Sequence, residues 1–198
     1  MFTIEGATPW VELKRQVRDT PLLYPRNGQK VYPYAKAGIS LKPVSFAEVR
    51  PTSLYVLRKN LATQTAIATA LAKEGYDPLE LRAGLTIHDS ETRWSTALVP
   101  PIVEQTDADG MYVLDGAHRT SLGRWKGKSE FLAIVISGIR EDCPSYALPN
   151  EWDGADGIRL VETVPENPAD KKHYREQPES FYRDFSRLGS SGLRGSGL

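Results

Sequence analysis

Apolar segments separated by short polar segments are clearest between residues 101 and 138. The stretches "PIVEQ" (101–105) and "MYVL" (111–114) are typical of strands. Asp109-Gly110 between them predicts a hairpin turn, because glycine readily adopts a positive φ. Residues 118–127 then favour a short helix, and the nearly all-apolar stretch 130–137 predicts a strand that is buried on both faces. The pattern thus predicts a strand, hairpin, strand, helix and strand in succession.

A longer helix is predicted between residues 53 and 74. Alanines favour helix in this stretch, and Gly75 can end it. Its apolar residues recur at roughly helical spacing and are Leu54, Leu57, Leu61, Ile67 and Leu71. We interpret this stripe as core packing.

The two ends of the chain lack the regular pattern of predicted strands and helices seen in the middle. Residues 1–38 predict an extended arm that packs by its tyrosines, preceded by a short helix with Thr8 as N-cap and Pro9 in its first position. Residues 140–188 are turn-rich and predict one or two helices, and the Gly/Ser-rich tail 189–198 predicts disorder. The predicted core domain therefore spans residues 39–139.

Composition limits the classes of function. Lys plus Arg and Asp plus Glu number 25 each, so the net charge is zero, which argues against a protein that coats nucleic acid. The single cysteine, Cys143, excludes an internal disulfide, and three widely spaced histidines give no case for a zinc site. No apolar run has the length of a membrane span, so we expect a cytoplasmic protein without membrane contact.

The stretch "LDGAHRTSLGRW" places a glycine and several donors at the start of the predicted helix. A helix N-terminus leaves backbone N–H groups unpaired and carries partial positive charge, so it favours an anion. The candidate phosphate site consists of Gly116, Ala117, His118, Arg119, Thr120 and Ser121. An ordinary strand-to-helix connection is the alternative, and Asp115 could cap the helix, bind a metal or act as a base.

The combination "VPPIVEQ…YVLDGAHRTSLGRW" resembles the core of the ParB/sulfiredoxin superfamily over about residues 39–139. This resemblance implies a small α+β domain with a mixed sheet, flanked here by an N-terminal arm and a C-terminal extension. It also implies that the motif lies at a helix start and binds nucleotide phosphates. Sulfiredoxins have a catalytic cysteine where this chain has Ala117, and chromosome-partitioning ParB proteins have a G-E-R-R-like turn followed by a helix-turn-helix domain.

The "DGAHR" turn is most similar to the D-G-H-H-R-like turn of kinases that phosphorylate free serine or a similar small hydroxyl compound. That likeness implies ATP or ADP as cofactor, with CTP as another possibility, together with Mg²⁺. Asp115 and His118 are then candidate catalytic residues. Such kinases have a catalytic glutamate shortly after a proline, but Thr52 and Ser53 follow Pro51 here, which leaves Glu48 as the candidate base.

Two further functions fit the same resemblance. A ParB-like protein that acts on DNA, as a nuclease or a nucleotide-gated clamp, would need a basic surface and salt-sensitive DNA affinity. A module that senses a nucleotide without turning it over would need no catalytic glutamate. Nucleotide and small-molecule substrate are therefore the expected partners, with nucleic acid as the alternative.

Overall fold

The computed structural model of the protein describes residues 2–188. Three α-helices occur within these residues: α1 (Trp10–Arg18), α2 (Arg58–Lys73) and α3 (Ala117–Trp125). The strands are β1 (Phe2–Thr8), β2 (Gly38–Ser45), β3 (Val49–Pro51), β4 (Tyr55–Leu57), β5 (Gly84–Asp89), β6 (Trp94–Leu98), β7 (Ile102–Thr106), β8 (Gly110–Asp115), β9 (Glu130–Ser137) and β10 (Arg159–Val161). The predicted α+β class is confirmed.

A mixed five-stranded sheet forms the centre of the molecule, in the order β2-β9-β7-β8-β3. The predicted succession of β7, hairpin, β8, α3 and β9 is confirmed, with Gly110 at a φ of 71° in the turn. β7 pairs antiparallel with β8 and parallel with β9, which places the helix crossover on one face of the sheet. Six consecutive residues of β9 are buried, as its apolar sequence predicts.

A second, antiparallel sheet has the order β1-β5-β6 and lies beside α2. The hairpin of β5 and β6 was not predicted, because its strands alternate apolar residues with threonine, serine and histidine and have no strong turn signal. Tyr55–Leu57 pairs with β10 instead of belonging to the helix, so α2 begins at Arg58 and not near Ser53.

The N-terminal prediction is partly wrong. Phe2–Thr8 forms an edge strand on β5 with a register shift between Ile4 and Gly6, and Thr8 belongs to this strand and does not cap the following helix. Pro9 takes the N-cap position with an extended ψ of 152°, and α1 begins at Trp10. Beyond α1 the chain lacks long regular elements up to β2, as predicted, and Tyr34 in this stretch is fully buried.

Both ends of the chain contribute to one core. Leu13 and Val17 of α1 and Leu188 near the C-terminus pack in the same buried cluster as Ile102 and Ile134 of the central sheet. The predicted C-terminal helices are not α-helices: within residues 162–188 the structure has three 3₁₀ turns, at Pro168–Asp170, Pro178–Phe181 and Phe185–Leu188. The tail 189–198 lies outside the described residues. No described helix has both the length and the apolar character that a membrane crossing requires.

Candidate functional site

Strand β8 turns directly into helix α3 at Gly116. This residue has a φ of 95° and a ψ of 15°, a conformation that glycine adopts without steric cost. A Cβ atom at Gly116 would lie 3.1 Å from Cβ and 3.2 Å from Cα of Pro101, so the backbone passes very close to the loop that precedes β7. The sharp turn is what brings the carboxylate of Asp115 to the N-terminus of α3.

The first amides of α3 have no side-chain cap among the described residues. The first intrahelical bond runs from Thr120 N to Gly116 O, at 3.0 Å, so the amides of Ala117, His118 and Arg119 precede the helical ladder. The hydroxyl of Thr120 donates back to the carbonyls of Gly116 and Ala117 and does not cap these amides. These three amides are therefore available to a group that accepts hydrogen bonds.

A cavity of about 390 Å³ opens at this helix end. Its wall combines residues of β6, β8, α2 and α3 with residues near the C-terminus. The polar and charged residues among them are Ser53, Gln64, Thr96, Asp115, His118, Arg119, Lys172, Arg183 and Ser186. Its volume lies in the range of small-molecule sites, and its polar groups converge from several elements.

His118 is held as a neutral hydrogen-bond acceptor at Nε2. The backbone N–H of Leu57 donates to this atom at 3.2 Å, and Asn60 Nδ2 lies 3.4 Å away. Because Nε2 accepts, the ring proton belongs on Nδ1, which leaves a donor for a ligand. Burial, assisted by the charge of Lys172, lowers the pKa of His118 to about 4.

The lowered pKa of His118 predicts a pH dependence of stability. The folded state holds this ring neutral while the unfolded chain protonates it near pH 6.5, so the free energy of unfolding should fall as the pH drops from 6.5 to 4. In His118→Gln, this part of the fall should disappear. Urea titrations of both proteins at several pH values measure it. Parallel curves for the two proteins over this interval would contradict the assignment.

Asp115 faces the cavity beside two cations. Burial raises the pKa of its carboxyl group, while Arg119, the backbone N–H of Gly116 and Lys172 each act in the opposite direction. The net result is a carboxylate that is a stronger base than an ordinary aspartate. Among the described residues of the cavity wall it is the one carboxyl group.

Arg119 has less freedom than the sequence suggests. Its side chain is buried, and Nη1 donates to the carbonyl of Val99 at 2.7 Å, which joins α3 to the segment before β7. Burial lowers the pKa of its guanidinium and Asp115 opposes this effect. Arg119 thus positions α3 and balances Asp115, and part of its predicted phosphate-binding capacity is already used.

Three predicted site residues lie away from the cavity wall. Thr120 and Ser121 are buried on the inner side of α3, where the Ser121 hydroxyl has no hydrogen-bond partner among the described residues. Glu48 is exposed in the turn before β3, and β3 runs parallel to β8 with Val49 beside Met111. Glu48 is therefore at the opposite end of β8 from Asp115, roughly 15 Å along the strand. The structure brings Asp115, Gly116, Ala117, His118 and Arg119 together and leaves Glu48 out.

Sequence reasoning missed Lys172 and Gln64. Lys172 reaches the cavity from a turn-rich stretch, and burial lowers its pKa to about 8 although Asp115 raises it. Gln64 is 5% exposed, lines the cavity, and its Oε1 has no hydrogen-bond partner among the described residues. A buried amide oxygen without a donor is unusual in folded proteins, so Gln64 Oε1 has the capacity to accept a further hydrogen bond.

The described part of the chain has no cluster of potential metal ligands, and its thiol is buried. No group of three or more potential metal ligands occurs there. Cys143 is buried outside the cavity wall, and burial raises the pKa of its thiol.

Comparison with models of protein families shows the family to which the chain belongs. The model of the ParB CE domain matches residues 12–156, well over half of the chain. The chain belongs to the ParB CE domain family. No curated protein and no solved structure matches it.

Membership in the ParB CE family confirms the ParB-like part of the resemblance, and the likeness to serine kinases stays a prediction. The matched range begins inside α1 and ends before β10, so it is wider than the core predicted from the motif. Asp115 to Arg119 lie within it. Lys172 and Arg183, which line the same cavity, lie beyond it.

Proposed function

We propose that this ParB CE domain protein binds a nucleotide by its phosphates and transfers a phosphoryl group to a small hydroxyl-bearing metabolite. The uncapped N-terminus of α3, which opens into a cavity that also contains Asp115, carries the proposal. The amides of Ala117, His118 and Arg119 supply donors, and His118 Nδ1 supplies another. The positive end of the helix dipole and two cations outweigh one carboxylate, so the local charge favours an anion.

Asp115 is the group best placed to act as the base. In the proposed reaction the acceptor oxygen forms a bond to the terminal phosphorus, the bond from that phosphorus to the leaving nucleotide oxygen breaks, and the acceptor proton passes to Asp115. Desolvation makes this carboxylate more basic, which suits proton abstraction near neutral pH. Asp115 takes the place of Glu48, which lies at the other end of the sheet.

The nucleotide is ATP or ADP in this proposal, with CTP as a further candidate, and Mg²⁺ accompanies it. Magnesium usually keeps several waters and binds through phosphate oxygens, so the ion would enter with the nucleotide and leave Asp115 free to act as the base. When bound, the ion neutralises phosphate charge. The unpaired Oε1 of Gln64 is a suitable acceptor for an N–H or O–H of the nucleotide or of the acceptor.

Asp115→Asn separates binding from transfer. We expect the variant to bind nucleotide at least as well as the parent, because a negative charge is removed, and to transfer phosphoryl groups about 100-fold more slowly or worse. Calorimetric titration with ATP, ADP and CTP in the presence of Mg²⁺ measures binding. Mass spectrometry of a metabolite pool incubated with ¹⁸O-labelled nucleotide measures transfer.

Glu48→Gln is the matched control, since it removes the other candidate carboxylate and should change neither measurement. Loss of transfer in Glu48→Gln, with Asp115→Asn unaffected, would overturn the assignment of the base. Binding by the parent without any transfer would identify a non-catalytic nucleotide sensor. Absence of nucleotide binding, with salt-sensitive affinity for DNA, would support the DNA-associated alternative.

A further inference from the structure

We propose that the C-terminal segment (residues 157–188), which lies beyond the ParB CE match, completes the anion site, and that Lys172 is the cation that binds the ligand phosphate. This inference rests on the proposed function, because it assigns the charge that the phosphate site needs. The segment then contributes to the binding site as well as to the core.

Lys172 lies inside the cavity wall beside the candidate site residues. Its Nζ is 3.4 Å from the hydroxyl oxygen of Thr52 and 5.2 Å from the centre of the Tyr146 ring. It is close enough to Asp115 and to His118 to influence the pKa of both groups. The ammonium group therefore shares one cavity with the N-terminus of α3 and faces the same space.

Of the cations that line the cavity, Lys172 is the one best able to move onto a ligand. Arg119 donates to the Val99 carbonyl, and Arg183 is bound to Glu104. Lys172 has no carboxylate oxygen within 4.0 Å among the described residues, and its long stem can shift the ammonium group by several ångströms. An incoming phosphate thus meets a positive charge that no ion pair already holds.

The segment that carries Lys172 is fixed on both sides of this residue. The backbone N–H of Leu54 donates to Lys171 O at 3.0 Å, and β10 pairs in parallel with β4. Farther along, Arg183 is locked into the buried centre of the molecule. These anchors place Lys172 without the ligand, so little ordering of the chain is needed when a phosphate binds.

Protonation of Lys172 should then govern binding at alkaline pH. Its pKa is about 8 in the free protein and must rise when a phosphate binds beside it, so binding takes up a proton and affinity falls as the pH rises past 8. The titratable or charged groups that face it are Asp115, His118, Tyr146, Arg119 and Arg183. His118 titrates at lower pH, burial raises the pKa of Asp115 and of Tyr146, and arginines stay charged. Lys172→Arg keeps all of these groups, so its pH profile isolates the contribution of Lys172.

Lys172→Met is expected to weaken ADP binding by about 10- to 100-fold at pH 7.5, which is the range for a hydrogen bond to a charged group. Lys172→Arg should retain most of the affinity and should lose the decline between pH 7.5 and 9.5. Lys171→Met, at the neighbouring position outside the cavity wall, is the matched control and should bind as the parent does. Calorimetric titration of the full chain with ADP and Mg²⁺ measures all four proteins, and thermal unfolding verifies that each is folded.

The outcomes separate this inference from the function on which it rests. If the parent and Lys172→Met bind ADP equally well, the role of Lys172 is overturned and the proposed function still stands. A parent that binds no nucleotide would overturn both. Should Lys172→Met be unfolded, the pH profile of Lys172→Arg decides: a decline that persists in this variant contradicts the inference, and a flat profile supports it.

Discussion

Replacing Gly116 by alanine is expected to lower the free energy of unfolding by roughly 2–5 kcal/mol and to abolish ligand binding. A left-handed backbone costs a residue with a Cβ about 1–2 kcal/mol, and overpacking adds roughly 1–3 kcal/mol. The contact here is with the backbone and ring of Pro101, at 3.2 and 3.1 Å, which cannot rotate out of the way. Relief of this clash would move the start of α3, and with it the amides that should hold the phosphate.

Gly110→Ala is the matched control for this prediction. Gly110 also has a positive φ, 71°, but nothing lies within 4 Å of the place that its Cβ would occupy. We expect a loss of about 1 kcal/mol from the backbone alone and unchanged nucleotide affinity. Urea unfolding and calorimetric titration measure both variants. Equal losses of stability in the two variants would show that the close approach to Pro101 is unimportant.

Arg183→Met should destabilise the protein by about 3–5 kcal/mol, since it leaves a buried carboxylate without its counter-ion. Arg183 and Glu104 are 1% and 0% exposed at their side chains and lie 3.0 Å apart. The guanidinium also donates to the carbonyls of Cys143, Pro144 and Phe181, which would all lose a partner. Equilibrium unfolding in urea measures the loss.

Arg140→Met is the control, because it removes an arginine from an exposed ion pair with Asp142. Such pairs contribute about 1 kcal/mol or less. In the double variant Glu104→Leu, Arg183→Met, the loss should be smaller than the sum of the two single losses, because no unpaired charge remains buried. A loss in Arg183→Met no larger than that in Arg140→Met would contradict this description of the network.

Glu104 also accepts hydrogen bonds from two buried tyrosines. Tyr112 OH donates to Oε2 at 2.7 Å, and Tyr34 OH donates to Oε1. The carboxylate thereby joins strand β7, strand β8, the stretch before β2 and the C-terminal segment. Because each polar atom of this network has a partner, it specifies how the two ends of the chain pack on the central sheet.

The region from β7 to β9 could be predicted from sequence because its turn residues and its apolar pattern indicate the same elements. Asp109-Gly110 fits the hairpin, Asp115-Gly116 fits the sharp turn, and β9 is apolar throughout. The hairpin of β5 and β6 could not be predicted in the same way. Its strands are partly buried on only one side, and their register depends on β1 at one edge and on α2 beneath.

The candidate site was predictable where one short motif builds it. Asp115 to Arg119 are consecutive, so the strand-to-helix turn alone brings them together. The contact between Arg119 and Val99 depends on the path of a distant segment, and local sequence does not encode it. Lys172 was missed for the same reason, since its place depends on the pairing of β10 with β4 and on the burial of Arg183.

The pairing of β4 with β10 has a consequence for how the molecule is made. A ribosome releases Tyr55 long before it releases Arg159, so β4 has no partner while the central sheet is already free to assemble. Pairing of β4 with β10 closes the long loop between them, and contacts that close long loops form late in folding. A nascent chain therefore completes the wall of this cavity only after the whole central sheet has been synthesised, when Lys172 and Arg183 emerge.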